Sequence, residues 1–313
     1  MGISVRFASC LARFGATLVM TTLVVLGSDV YAQELEPRAY TNTPVGLNFL
    51  IAGYAYSSGG VATDPSVPIQ DAHLHIHSAI FAYARSLNVW GTSGKVDVVL
   101  PYAWLSGTAE VAGQSRERNV SGLADPRLRF SVNLYGAPAL SLQEFASYRQ
   151  DLIIGVSLQV SAPLGQYDSD KLVNIGTNRW SVKPELGISK ALGPLTLELA
   201  TGVTFYTDNH DFFGGKTRAQ APLYSVQGHA SYTLGAGVWV ALDGTYYTGG
   251  RTTIDGEEGN DLQKNSRLGA TVTLPVNRYM SVKLYGSTGV STRTGSNFNA
   301  GGLFLQYRWG GGL

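Results

Sequence analysis

Cysteine is nearly missing from this chain. The one residue, Cys10, sits in the N-terminal segment and lacks the small neighbours and acceptor position of a lipidated cysteine. Once that segment is removed, neither disulfide nor thiolate chemistry is available. Charge is scarce, at 14% of residues, and almost balanced, with a net charge of +1. A chain without a basic excess is not built to hold nucleic acid. Beyond residue 33 no apolar run approaches the ~20 residues that a membrane-spanning helix needs.

Glycine and aromatic residues are plentiful: 38 glycines, 17 tyrosines and five tryptophans. The first 32 residues read as a secretory signal. Arg6 and Arg13 supply positive charge, Leu18 to Leu26 an apolar run, and Val30, Tyr31 and Ala32 lead to a cleavage point before Gln33. Cleavage takes away two arginines and Asp29, leaving 21 basic and 21 acidic residues in the exported chain.

The stretch TNRWSVKPELGIS, residues 177 to 189, sorts into two sets with a period of two. Trp180, Val182, Pro184, Leu186 and Ile188 fall on one side; Arg179, Ser181, Lys183, Glu185 and Ser189 fall on the other. Side chains alternate across a strand, so this is a strand with one apolar and one polar face. The pattern recurs, with strands expected near 47–56, 71–85, 95–105, 126–134, 151–162, 177–189 and 195–206. Five more follow, two of them bracketing the turn at 234–237, then 266–275, one ending near Val290, and 298–309. Residues 106–122 read as a long polar loop, and residues 135–149 are long enough to carry a short helix.

Long loops follow the odd strands and, apart from 135–149, short turns follow the even ones. The expected fold is all-β: a transmembrane antiparallel β-barrel of twelve strands, rather than ten or fourteen, with both termini in the periplasm. Residues 1–32 form the signal peptide and 33–313 the barrel, of which 33–45 are a periplasmic lead-in. Tyr54, Tyr56, Trp90, Trp104, Trp239, Tyr246 and Trp309 lie near strand ends and fit interfacial girdles.

Three segments carry a family resemblance: LEPRAYTNTPVGLNFLIAGYAYSSGGV at 35–61, the run from NLYGAPALSLQEFASYRQ through SLQVSAPLGQYDSDKLVNIGTNRWSVKPE at 133–185, and QYRWGGGL at the end. With YYTGGRT at 246–252, they are similar to the outer-membrane transporter family labelled for the meta-pathway of phenol degradation. The resemblance spans essentially all of the exported chain. One departure is the ending. Many bacterial outer-membrane proteins finish on an aromatic residue that the assembly machinery reads, whereas Trp309 is followed here by Gly310 to Leu313.

The expected lumen is charged and mixed. Arg127, Arg129, Arg179, Lys183, Lys283 and Arg308 oppose Asp97, Glu185, Glu198 and Asp243. Confined charges seek partners, so these groups either pair across the lumen and hold it together or orient a small solute as charged rings do in pores. Asp71, His73, His75 and His77 share one face of the second strand and read as a titratable stripe in the upper lumen, able to alter permeation near about pH 6. Alternate strand residues stand about 6.5 to 7 Å apart, too far for three histidines to chelate one ion, and no metal site is expected.

His229 and Ser231, two apart, resemble the pair of an outer-membrane phospholipase that also has twelve strands. Here they lie on the inward face, Tyr232-Thr233 replaces the expected Asn-Gly, and side chains at i and i+2 reach hydrogen-bond distance only with help. No catalytic residue and no cofactor is assigned. The family resemblance implies passive uptake of small aromatic or otherwise hydrophobic compounds across the bacterial outer membrane. The partners it implies are outer-membrane lipid, a small-molecule solute and the assembly machinery. An outer-membrane lipid hydrolase and a structural or adhesive surface barrel remain as alternatives.

Overall fold

The computed structural model describes residues 36–62, 69–111 and 113–313. The expected signal segment and its cleavage point lie outside them. The elements in chain order are β1 (Leu47–Ala62), β2 (Ile69–Val89), β3 (Thr92–Val111), β4 (Gln114–Leu123), β5 (Arg127–Tyr135) and the one-turn α1 (Leu142–Phe145). There follow β6 (Leu152–Ser161), β7 (Ser181–Leu192), β8 (Leu195–Tyr206), β9 (Asn209–Phe212), β10 (Lys216–Gln220), β11 (Leu223–Gly235) and β12 (Val238–Gly249). The last are β13 (Thr252–Ile254), β14 (Glu257–Glu258), β15 (Gln263–Pro275), β16 (Met280–Thr292) and β17 (Gly295–Gly310).

The expected barrel of twelve strands is present. The closed wall runs β1, β2, β3, β5, β6, β7, β8, β11, β12, β15, β16 and β17, all neighbours antiparallel, and β17 pairs back onto β1 from Leu47–Gly310 to Ala62–Gly295. Closure leaves no unpaired edge in hydrocarbon, where each unsatisfied backbone group costs several kcal/mol. Leu128, Phe130, Leu158, Leu186, Leu199, Leu242, Leu268 and Leu305 stand exposed on the outer wall. A soluble protein would bury such a belt, whereas lipid covers it.

One end of the barrel has tight turns. Val89 pairs directly with Thr92, and both Trp90 and Gly91 between them have positive φ, as a two-residue hairpin turn whose twist matches its strands requires. Trp90, 96% exposed, projects from this rim. The start of β1 and the end of β17 meet at the same rim, so it is the periplasmic one. At the opposite rim the loops after β8 and β12 build a small sheet in the order β14-β13-β10-β9.

Several expected boundaries move. Residues 106–122 are a hairpin rather than a loop, with β3 pairing β4 from Tyr102–Leu123 to Val111–Gln114. Lower down, β3 pairs β5 instead, so β4 and β5 occupy one position in the wall with a break at 124–126 between them. The strand expected from residue 177 starts at Ser181, leaving Arg179 and Trp180 in the preceding loop. The expected helix in 135–149 is α1, held by a capping box between Ser141 and Glu144.

The largest correction is on β2. Leu74, Ile76, Ser78 and Ala84 point inward and are buried, while Asp71, His73, His75, His77, Phe81, Tyr83 and Arg85 point outward. The histidine stripe therefore lies on the outer surface. Eight residues separate Tyr83 from His75, about 26 Å of strand and about 20 Å of height at barrel tilt, close to the full depth of the ~25 Å apolar band. The histidines thus stand at the outer headgroup level, where a polar exterior is favourable. Inside, Leu74 and Ile76 join Ala103, Leu105, Ala124, Ile175 and Phe298 in a buried apolar cluster. Trp239 is also corrected: it lies under the Arg38 guanidinium inside the barrel and not in a girdle.

Candidate functional site: the lumen and its lead-in

The described lead-in residues do not hang in the periplasm as expected. Glu36, Arg38 and Tyr40 are threaded into the lower lumen. Glu36 pairs with Arg129 at 2.5 Å and lies 3.9 Å from Lys95, and Arg129 in turn holds Asp97 at 3.1 Å. The Arg38 amide donates to Glu198 Oε2, and its guanidinium covers the Trp239 ring at 5.2 Å. Tyr40 Oη donates to Glu185 at 2.9 Å and lies 3.4 Å from Ser157 Oγ.

The Tyr40 ring fits because two wall positions lack side chains. A Cβ at Gly187 would stand 2.0 Å from the ring and one at Gly155 2.5 Å from it. Below, Asn42 donates to the Pro138 carbonyl and the Val45 amide to that of Leu140. The segment after β5 therefore braces the lead-in from the periplasmic side.

Above the lead-in lies a cavity of about 1210 Å³, counting space open to solvent. Of the residues read as luminal from the sequence, Arg127, Arg129, Lys183, Glu185, Glu198 and His229 line it. Lys183 pairs with Glu185 at 2.7 Å. Asp243 stands behind His229, 2.7 Å from its Nδ1, and also accepts from Thr271 at 3.0 Å. Lys283 is within electrostatic reach of Glu36. Arg179 sits higher, its guanidinium 4.4 Å from the centre of the Tyr206 ring. Arg308 lies at the periplasmic end and donates to the Arg278 carbonyl. Asp71, His73, His75 and His77 take no part: on the outer wall Tyr56 Oη meets His75 Nδ1 at 2.7 Å, and Tyr54 pairs likewise with His77.

Cross-lumen pairing therefore accounts for much of the charged set, and its missing partners come from the lead-in. The period-two alternation of Glu36, Arg38 and Tyr40 was the signal that could have marked them. The Ser231 hydroxyl, 1% exposed, has no hydrogen-bond partner, so it is not joined to the His229-Asp243 pair as a nucleophile would be. Among the described residues no group of three candidate ligands could hold a metal.

Residues 162–180 contribute Ile175 and Thr177 to the cavity lining. Asp125 Oδ1 accepts from the Gly165 amide at 2.9 Å, and its Oδ2 accepts from the amide and hydroxyl of Thr177 at 2.8 and 2.6 Å. Burial pushes the Tyr167 phenol up, keeping it a neutral donor to the Asp211 carbonyl at 3.1 Å. Ile175 of this loop belongs both to the cavity wall and to the apolar cluster. The loop spans the break in the wall: β4 pairs with β3 alone, the Gln166 amide donates to the Leu123 carbonyl at 2.7 Å, and Leu123 and Leu164 are exposed.

A family model described as "Putative MetA-pathway of phenol degradation" matches residues 55–309. No curated protein matches the sequence. Among solved structures, the COG4313 outer membrane channel from Pseudomonas putida F1 superimposes with a TM-score of 0.76 at 21% identity, covering 88% of this chain and 100% of that one. The transport unit of the autotransporter AIDA-I from Escherichia coli follows with a TM-score of 0.51 at 11% identity, covering 94% and 97%. At these identities the likeness is one of fold, an outer-membrane barrel.

Proposed function

The chain belongs to the family described for phenol degradation and is an outer-membrane barrel of the channel type; from that premise we propose that it passes small aromatic or similarly hydrophobic molecules inward by facilitated diffusion. The observation that carries this reading is the division of the lumen. One side, formed by β1 to β4, β17 and the 162–180 loop, packs Leu74, Ile76, Leu105 and Phe298 into a buried apolar cluster that meets the cavity at Ile175. The other, formed by β5 to β11, presents charged groups largely paired with one another or with the lead-in. An apolar plug on one side and paired charges on the other leave little for a hydrated ion to bind, which favours a small solute with an apolar body.

The route we propose begins at the break beside β4, where Leu123 and Leu164 adjoin the bilayer, enters the cavity under the 162–180 loop, and leaves past Tyr40. Export through a cleaved N-terminal signal is part of the same reading. The test is solute flux into proteoliposomes holding the purified protein, together with planar-bilayer conductance. Toluene or anisole flux above protein-free vesicles, with small ionic conductance, is the expected result. A correctly folded barrel that passes no aromatic solute would overturn the proposal.

A further inference from the structure

The outer wall of β1 to β4 changes chemistry over a few rungs of the sheet, and the strand register names them. Lowest, Ala52, Phe81 and Leu100 lie side by side, all exposed and apolar. Four residues up β2, Tyr56, His77 and Trp104 form an aromatic rung. The next holds His75 between Ser58 and Ser106, with Asn119 beyond. Hydrocarbon, amphipathic ring and hydrogen-bonding group thus follow one another in the order a lipid presents from acyl chain to headgroup.

Two tyrosines fix the imidazoles. Tyr56 Oη meets His75 Nδ1 at 2.7 Å, and Tyr54 pairs with His77 Nδ1. With the phenol as donor, each neutral ring keeps its proton on Nε2, which has no hydrogen-bond partner among the described residues. Alternate strand residues stand about 6.5 to 7 Å apart, a span that two N–H···O bonds of about 2.9 Å to two oxygens of one phosphate cover. The acidic side chains keep their distance. Glu117 lies on the His73 rung, and Asp71 and Glu110 lie beyond it, so His75 and His77 are flanked by neutral groups. Beneath them Ala79 separates Tyr54 from Tyr102 and leaves a shallow trough toward Phe81.

We propose that this face holds a phosphate-bearing glycolipid of the outer leaflet, its phosphate on the imidazoles of His75 and His77 and an acyl chain along the trough at Ala79. A phosphate is all acceptor and suits a rung whose oriented groups are donors. The height of the histidines above the periplasmic rim places them at the outer headgroups, which sets the leaflet. The site lies on the opposite surface of the wall from the conduit and does not depend on it.

The experiment is native mass spectrometry of the full-length protein in detergent containing EDTA. The probes are diphosphoryl lipid A, its dephosphorylated form, dioleoylphosphatidylglycerol and inorganic phosphate. Wild type is expected to hold diphosphoryl lipid A about tenfold or more tightly than the dephosphorylated form, as hydrogen bonds to a charged acceptor require. The double variant His75→Ala/His77→Ala should lose that preference, and His210→Ala, in β9 away from this face, should keep it. Should the alanine pair not fold, Ala79→Trp carries the test: filling the trough should weaken lipid A severalfold with both histidines in place. Equal binding of the two lipid A forms, a preference that survives the alanine pair, or lipid A binding unchanged by Ala79→Trp would each overturn the proposal. So would phosphatidylglycerol or inorganic phosphate binding as tightly as lipid A, or binding that appears only on adding Zn2+, which would assign the histidines to a metal.

Discussion

Tyr40 and Glu185, 145 residues apart in the chain, are joined by a 2.9 Å hydrogen bond across the lumen. That bond ties the lead-in to β7, and the ring that makes it lies where Gly155 and Gly187 leave room. How far the lead-in fills the lumen therefore depends on two glycines whose role is the absence of a side chain.

Gly187→Val should expel the lead-in. Its Cβ would fall 2.0 Å from the Tyr40 ring, far inside van der Waals contact, so ring and side chain cannot coexist. Position 187 lies in the middle of β7 with an ordinary strand backbone, so valine suits the wall itself. Single-channel conductance is expected to rise severalfold, while the folded barrel keeps its heat-modifiable migration on gels. Unchanged conductance would mean that the lead-in does not limit flow.

Arg129→Met should destabilise the protein by about 3 kcal/mol, because removing one partner of a buried ion cluster leaves uncompensated charge. Here the charges left behind are Glu36 and Asp97. Reversible urea unfolding from bilayers measures the loss. Adding Asp97→Asn should restore part of it, since the charges that remain, Glu36 and Lys95, then balance each other.

Asp125→Ala should free the 162–180 loop without opening the barrel. Three hydrogen bonds to one carboxylate hold that loop. Loss of charge-assisted bonds of this kind makes local opening about tenfold or more frequent. Limited proteolysis should then cut within 162–180 while the strands stay intact, and a cleavage rate equal to wild type would count against the clamp.

His75→Ala and His77→Ala should leave conductance unchanged at both pH 5 and pH 8. Both imidazoles sit on the outer wall with Tyr56 and Tyr54, away from the lumen. The sequence pattern alone would have led to the opposite expectation, a pH response lost in the variant, and the bilayer measurement separates the two.

The barrel was legible in the chain because its cause is local and repeated. Lipid presses on one face of every strand in the apolar band, so Leu128, Phe130, Leu186 and Leu305 had to alternate with polar neighbours, and tight turns at one rim fixed the count. The same rule misled on β2. Above the hydrocarbon, water and headgroups lie outside and packed side chains inside, so alternation persists while its meaning inverts: His73, His75 and His77 face out, and Leu74 and Ile76 face in. Nothing local marks the height at which that inversion occurs. The inward charges Arg129, Lys183, Glu185 and Glu198 could be named from periodicity, but their partners could not. Glu36, Arg38 and Tyr40 reach them only once the wall has closed around the lead-in, and pairing across so many residues is decided by the enclosed space rather than by neighbouring sequence.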